Sequence, residues 1–312
     1  MKRPIAIALC ILLISSLAGC RSVYEDSRVV FDSDISVGVR LYGRNAQAAA
    51  EEMFALFDDL AVCADATNPD SEIGLFNAAA VGETVVVGET CYTLLRKAET
   101  LFRETFGAFN VALLPLSKLW HVDAESIHRY TPLFGQEPYP SPETLPDYDS
   151  VQSALKTATP DSWTLTETDG GYTLTKNAPV EIDLGAVAKG WAADRCAEIA
   201  RKFGLSARID VSGNLYLVGK YFNDRKGRDE DWYVGVTDPR PRPAFVRDYV
   251  TVLHHAGDTR IVTSGDYERY YFYQNGLAVP HIIGRDGLPV GVAYDGERYV
   301  NTGAHVISAT VV

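Results

Sequence analysis

A chain of 312 residues with 41 acidic against 29 basic side chains carries a formal charge of −12. That balance argues against nucleic acid, whose phosphates demand a basic surface, and against a polybasic lipid-binding face. The length suits one large domain or two modest ones.

The first residues read as an export signal. Lys2 and Arg3 precede an apolar run over 5–17, too short to span a bilayer comfortably, and Leu17-Ala18-Gly19-Cys20 closes it. Those four residues look like a bacterial lipobox, which implies cleavage before Cys20 and lipidation of its thiol. The expected organisation is a lipoprotein signal peptide over 1–19, a polar tether over 20–28 and one domain over 29–312. The body would be exported and held by its lipid on the extracytoplasmic face of a bacterial membrane. Losing Lys2 and Arg3 takes the net charge from −12 to about −14. Cys10 leaves with the leader, so Cys63, Cys91 and Cys196 remain beside the lipidated Cys20, without metal-ligand spacing. Cys63 and Cys196 lie in apolar helical patterns, where a buried structural thiol is the default. One disulfide among the three is open, with its pairing undetermined.

Alternation over 29–42 predicts a strand ending at Gly43, and Ala49, Met53, Leu56, Phe57 and Leu60 predict an amphipathic helix over 45–62. A short strand over 81–87 and a second amphipathic helix over 91–106, stopped by Gly107, follow. Pro132, Pro138, Pro140, Pro142 and Pro146 mark 128–148 as a surface loop. Asp169-Gly170-Gly171 centres a hairpin over 163–175. The stretch 180–194 reads as a short strand, a turn of small residues and the start of a helix reaching about Phe203. Strands at 207–211, 232–236 and 249–253, a hairpin around Gln274-Asn275-Gly276 and an apolar strand over 304–312 complete the chain. Long hairpins with packed helices place it in the α+β class, with mixed or antiparallel sheets.

Chemistry concentrates in a few places. Asp183, a turn of Gly and Ala, and Lys189 meet where strand becomes helix, and helix N-termini favour anions. Neither G-x-x-x-x-G-K-[ST] nor G-x-G-x-x-G is present, so a structural turn and a phosphate site are equally open there. His281, between Pro280 and Ile282-Ile283, reads either as a core histidine or as an acid–base group. Asn77 suits a helix cap, and Thr263-Ser264-Gly265-Asp266 suits a capped turn between strand and helix. A Ser264–His281–Asp266 triad lacks the Gly-x-Ser-x-Gly elbow of a hydrolase.

Taken in order, these segments resemble one family, the FAD:protein FMN transferases or ApbE family. The resemblance rests on Asp70-Ser71-Glu72-Ile73-Gly74-Leu75-Phe76-Asn77, on Gly107-Ala108-Phe109-Asn110-Val111 through Pro115-Leu116 to Trp120, and on Asp183 to Asp194. It continues through Val211-Ser212-Gly213-Asn214, Thr263 to Tyr270 and His281-Ile282-Ile283, covering the chain from about residue 29 onward. The resemblance implies a T-fold-like architecture and a Mg²⁺-dependent reaction on FAD. The FMN moiety would pass to a Thr or Ser hydroxyl on a flavin-accepting domain of a membrane redox complex, releasing AMP; some relatives also act as FAD pyrophosphatases. The alternative is a flavin-binding lipoprotein without catalysis, a carrier or degenerate relative.

Carried over by motif, His281 and Asn77 fall on catalytic positions, and Asp183, Lys189, Ala108, Phe109, Asn110, Ile283 and Ser264 on the FAD-contacting wall. Phe31 and Thr67 fall where the family often has a flavin-contacting Met and Tyr, and the carbonyl of Ala186 falls on a metal ligand. The chain departs from the pattern in four places. Asn110 replaces an Asp, Ser212 replaces the first Gly of its turn, and the loop after His281 is one residue shorter. The family's A-D-x-x-x-T segment, which carries its other metal ligands, would follow Val312. The chain is therefore expected to be truncated at its C-terminus and, as it stands, to bind Mg²⁺ and FAD poorly, while the complete gene product is active.

Overall fold

Period-2 alternation builds the central sheet. In the computed structural model, which describes residues 22–30, 35–123, 140–239, 248–266, 269–303 and 308–312, six strands pair antiparallel in the order β1-β2-β6-β7-β12-β17. These are β1 (Val23–Val30), β2 (Ile35–Tyr42), β6 (Ser206–Val211), β7 (Asn214–Val218), β12 (Thr259–Gly265) and β17 (Ser308–Val311). Val37, Val39 and Leu41 of β2, with Ala207, Ile209 and Val211 of β6, point into the main core. The alternate residues Tyr42, Leu217 and Ile261 point the other way, onto Phe222 and Trp232. That second face is covered by the hairpins β8 (Tyr221–Asn223) with β9 (Arg228–Glu230) and β10 (Trp232–Thr237) with β11 (Tyr249–His255).

The strand expected over 29–42 is thus a hairpin, Val30 pairing with Ile35 across residues outside the description. The tether expected over 20–28 is corrected at the same point, because Val23 to Arg28 register against Tyr42 to Val37. The polar side chains of this stretch are those of a strand with one wet face, which mimics a linker in composition.

Two helices cover the main-core face. Helix α1 (Ala46–Ala64) follows Asn45, held in the left-handed region at φ 61°. It buries Ala49, Ala50, Met53, Phe54, Phe57 and Leu60 at helical spacing. Helix α6 (Gly185–Lys202) buries Ala188, Ala192, Ala193, Ala197 and Ala200, a run of small side chains that lets it lie close to the sheet. Between them in sequence come α2 (Glu72–Ala78), α3 (Glu89–Glu104), α4 (Leu114–Leu119) and α5 (Tyr148–Thr157). A small sheet of β3 (Thr84–Val87), β5 (Gly171–Lys176) and β4 (Trp163–Thr168) lies beside them in the order β3-β5-β4. Helix α5 begins where the sequence pattern predicts loop. Its N-cap Asp147, accepting from the Ser150 amide at 2.8 Å, sits among prolines that mark a loop. Of the loop expected over 128–148, residues 128–139 lie outside the description.

Gly74 in α2 is a fixed point of the fold. A Cβ there would sit 1.9 Å from the Asn68 carbonyl oxygen, so only glycine lets the 65–71 loop close on the helix that Ser71 caps. Gly74→Ala is expected to cost about 3 kcal/mol of stability, read as a lower urea midpoint at unchanged slope.

A separate core forms from α4, α5 and the last hairpins, β13 (Tyr270–Phe272) with β14 (Ala278–Pro280) and β15 (Val292–Tyr294) with β16 (Tyr299–Asn301). Trp120 anchors it. Its indole N–H donates to the Gly287 carbonyl at 2.9 Å, and its own carbonyl accepts from the Tyr271 hydroxyl at 2.6 Å. The architecture is α+β, as expected, with two cores meeting along a seam. Among the described residues no helix is long and apolar enough to cross a membrane.

Candidate functional site

The seam between the cores is where the chemistry-bearing residues gather. From the main-core side comes the segment before α6. Residues 180–184, expected as a strand, join no sheet. Their backbone finds other partners: the Asn77 side-chain amide accepts from the Ile182 N–H at 2.7 Å and donates to the Ile182 carbonyl at 2.9 Å. The Asp183 N–H donates to the Val111 carbonyl at 2.9 Å. Asn77 therefore imitates a neighbouring strand at one residue, with Val180, Ile182 and Leu184 buried around it. It sits inside α2 rather than capping it. Lys176 steadies the same place, its buried ammonium donating to the Asn77 and Ala79 carbonyls at 2.8 and 3.0 Å. Asn77→Ala is expected to lose about 3 kcal/mol in chemical denaturation, since it orphans a buried N–H and a buried C=O at once.

Asp183 opens α6. One carboxylate oxygen accepts from the Gly185 N–H at 2.7 Å, while the Val187 and Ala188 amides turn back to the Leu184 carbonyl. Ala186, an exposed residue, is second in the helix, where a backbone N–H has no intrahelical acceptor. One turn on, Lys189 has no hydrogen bond or ion pair among the described residues. Burial pushes its ammonium below the usual lysine range, and the Arg269 guanidinium adds to that while Asp183 opposes it. A positive charge held this way is poised for an anion.

From the second core comes His281, directly after β14. Its N–H and its ring Nδ1 both reach the Arg269 carbonyl, at 3.0 and 3.1 Å. A carbonyl only accepts, so Nδ1 carries the proton and Nε2 of the neutral ring is left as the base. Burial pushes the imidazole below its usual value; the hydrogen bond to Arg269 opposes this, the charges of Arg269 and Lys189 add to it, and Asp266 opposes it. Asp183, Lys189, Asp266, Arg269 and His281 thus form one electrostatic cluster across the seam. Arg269 and Asp266 were not singled out as ligand-binding residues by sequence, although they lie in the 263–270 motif that carried the resemblance.

The triplet Ala108-Phe109-Asn110 follows the end of α3, where Gly107 turns the chain at φ 81°. Asn110 braces this loop, donating to the Ala158 carbonyl at 2.7 Å and accepting from the Ala112 N–H at 2.9 Å. The triplet abuts the site through Val111, whose carbonyl holds Asp183. Ile283 packs on the second core and bridges to Pro289. Ser264 lies in β12 opposite Ala309, so the expected capped turn at 263–266 is strand over 263–265. No hydrogen bond joins Ser264 to His281 among the described residues, and the hydrolase triad is not formed. Thr67 is exposed, and its hydroxyl donates to the Asp65 carboxylate at 2.7 Å rather than to any of the cluster's described residues. Phe31 and Cys20 lie outside the described residues. Two surface hollows, one lined by Leu75, Ala79 and Thr84 and one by Glu25, Gly38 and Arg208, contain none of the cluster.

The oxygen donors at the start of α6 are the Asp183 carboxylate, one oxygen of which already accepts from Gly185, and the backbone carbonyl of the exposed residue Ala186. Hard oxygens of this kind fit Mg²⁺, which takes one or two protein ligands and completes its shell with water and substrate phosphate.

Comparison with known proteins bears on this site. The sequence pattern of the ApbE family matches residues 28–293. A FAD:protein FMN transferase of Treponema pallidum is 31% identical over 299 residues, covering 89% of this chain and 75% of its own. One from Klebsiella pneumoniae is 28% identical over 284 residues, covering 90% and 78%. Among solved structures, the ApbE protein of Thermotoga maritima superposes with a TM-score of 0.70 at 25% identity, covering 93% of this chain and 81% of that one. The flavin transferase ApbE of Vibrio cholerae shares the fold at a TM-score of 0.65 and 22% identity, covering 93% and 82%.

Proposed function

The chain belongs to the ApbE family, and from that premise we propose that it is a flavin transferase that moves the FMN moiety of FAD onto a Thr or Ser hydroxyl of a partner protein, releasing AMP. The observation that carries this reading is the seam cluster, a histidine whose Nδ1 is tied to the Arg269 carbonyl, in the electrostatic reach of a half-buried lysine that has no hydrogen bond or ion pair among the described residues.

Each residue has a task that its surroundings suit. His281 Nε2 takes the proton of the incoming hydroxyl as the oxygen attacks the FMN phosphorus, and Nδ1 stays tied to the Arg269 carbonyl. Lys189, Arg269 and the Ala186 N–H balance the negative charge of the diphosphate as the bond to the AMP phosphate breaks. Asp183 sets the start of α6, and its charge opposes the burial that lowers the Lys189 ammonium. Asn77 keeps Asp183 in place by holding Ile182, a positioning role. Mg²⁺, held by Ala186 and Asp183, would supply the remaining neutralisation of phosphate charge.

The acceptor is proposed to be a flavin-bearing domain of a membrane redox complex. The leader ending at Cys20 supports an exported enzyme held by lipid on the same membrane, and FAD hydrolysis is the reaction expected when water replaces the acceptor hydroxyl. Chromatography of the nucleotides after incubation with FAD and Mg²⁺ tests the reading. AMP with protein-bound flavin when an acceptor domain is present supports transfer. FMN and AMP in equal amounts regardless of acceptor indicates a hydrolase, and unchanged FAD indicates a carrier.

A further inference from the structure

We propose that Cys63 and Cys91 form a disulfide that ties the end of α1 to the first turn of α3. Cys63 is the next-to-last residue of α1 and Cys91 the third of α3, and both are buried free thiols in the reduced chain. Their sulfurs and a carboxylate oxygen of Glu72 all lie within 4.8 Å of one another, whereas Cys196 is no part of the group.

The same three side chains would be a metal site only if the thiols gave up their protons. Two features oppose that. Glu72 already accepts from the Gly88 N–H at 2.9 Å, so its carboxylate is committed to the start of α3. Cys63 beside it, and then burial, push the Cys91 thiol well above its usual range, while zinc is bound by thiolates. A disulfide needs no buried charge; it replaces two S–H groups in an apolar core with one neutral bond.

In the chemistry, a thiolate of the incompletely folded chain attacks the disulfide of a small or protein oxidant, expelling one thiol. The second cysteine then attacks the mixed disulfide and expels the other. Two chain thiols become one disulfide, and the oxidant's disulfide becomes two thiols, with two electrons and two protons transferred. Both sulfurs are buried in the folded chain, at 3% and 0% exposure, so oxidation belongs to the folding phase and the finished bond is sealed from reductants. The export reading enters only as the source of the oxidant, since disulfides persist outside the cytoplasm. The crosslink closes around α2, whose Glu72 carboxylate lies within 4.8 Å of both sulfurs and whose Asn77 holds the segment before α6.

Refolding the full chain carrying Cys10→Ser and Cys20→Ser in a glutathione redox buffer tests the pair without relying on export. After denaturing alkylation and peptide mapping, the expected result is a Cys63–Cys91 crosslink with Cys196 alkylated. It should be unchanged by Cys196→Ser and abolished by Cys91→Ala. The oxidised protein should melt about 5 °C above the reduced one, and dithiothreitol should reverse this only after unfolding. Three alkylated thiols, a bond to Cys196, or stoichiometric zinc protecting Cys63 and Cys91 would overturn the proposal.

Discussion

Replacing His281 with Gln is expected to slow FMN transfer by about 10²- to 10⁴-fold, the usual contribution of a positioned general base. The fold should survive, because a glutamine amide can still donate to the Arg269 carbonyl that now holds Nδ1. The pH dependence distinguishes a base from a packing residue. The imidazole sits below its ordinary 6.5, chiefly through burial, so wild-type activity should hold down to pH 6.5 and fall only in more acidic solution. Stability follows the same group. Between the folded and unfolded values the unfolded chain binds more protons, so stability falls as pH drops below 6.5. The variant should lose both dependences, in a pH–rate profile and in a pH series of melting curves.

Lys189→Met should show the opposite trade. Transfer is expected to fall by about 10²- to 10³-fold, as when one preorganised charge is removed from a developing anion. The apo protein, however, should become more stable by about 1 kcal/mol, or about 2 °C in melting temperature. The sign follows from burial. The ammonium's folded value lies below the unfolded 10.5, so its cost to the fold is full at neutral pH and is relieved only as pH rises toward 10.5. A methionine of similar length carries no such cost. Lys189→Arg should keep the positive charge at alkaline pH and move the basic limb of the activity profile upward, since guanidinium holds its proton. Loss of activity with loss of stability in Lys189→Met would assign the residue to packing instead.

Much of the fold was legible because its signals are local. The helices reveal themselves by spacing, as in Ala49, Met53, Phe57 and Leu60 of α1, and the β4–β5 hairpin by Asp169-Gly170-Gly171. The failures share a cause in long-range pairing. Nothing near residues 180–184 says that their backbone partners are the Asn77 amide, 105 positions away, and a loop carbonyl at Val111. Likewise the polar residues of β1 resemble a tether until β2 is seen to pair with them, and α5 hides behind the prolines before it.

The site was legible in a different way. Asp183, Lys189 and His281 were picked out by motif, but the physical reason they lie near one another was not. It is the seam that puts Lys189 of α6, on one core, within electrostatic reach of His281, which follows β14 on the other. Asn77 and Asn110 were read as substrate-facing, and the structure commits both amides to backbone groups. Their expected influence on flavin is therefore exerted through the segments they hold. Arg269 went unassigned because its two contributions, a carbonyl for Nδ1 and a charge beside Lys189, depend on the β13–β14 hairpin turning back on itself.

The proposed activity of this seam is the covalent attachment of FMN to a hydroxyl. Peptide mapping by mass spectrometry of a flavin-accepting domain, after incubation with the protein, FAD and Mg²⁺, tests it most directly. The prediction is FMN in phosphoester linkage to one Thr or Ser, one AMP per modified side chain, and no adduct with His281→Gln over the same time. An acceptor that stays unmodified while FAD is bound or hydrolysed, or an adduct formed as fast by His281→Gln as by the wild type, would contradict it.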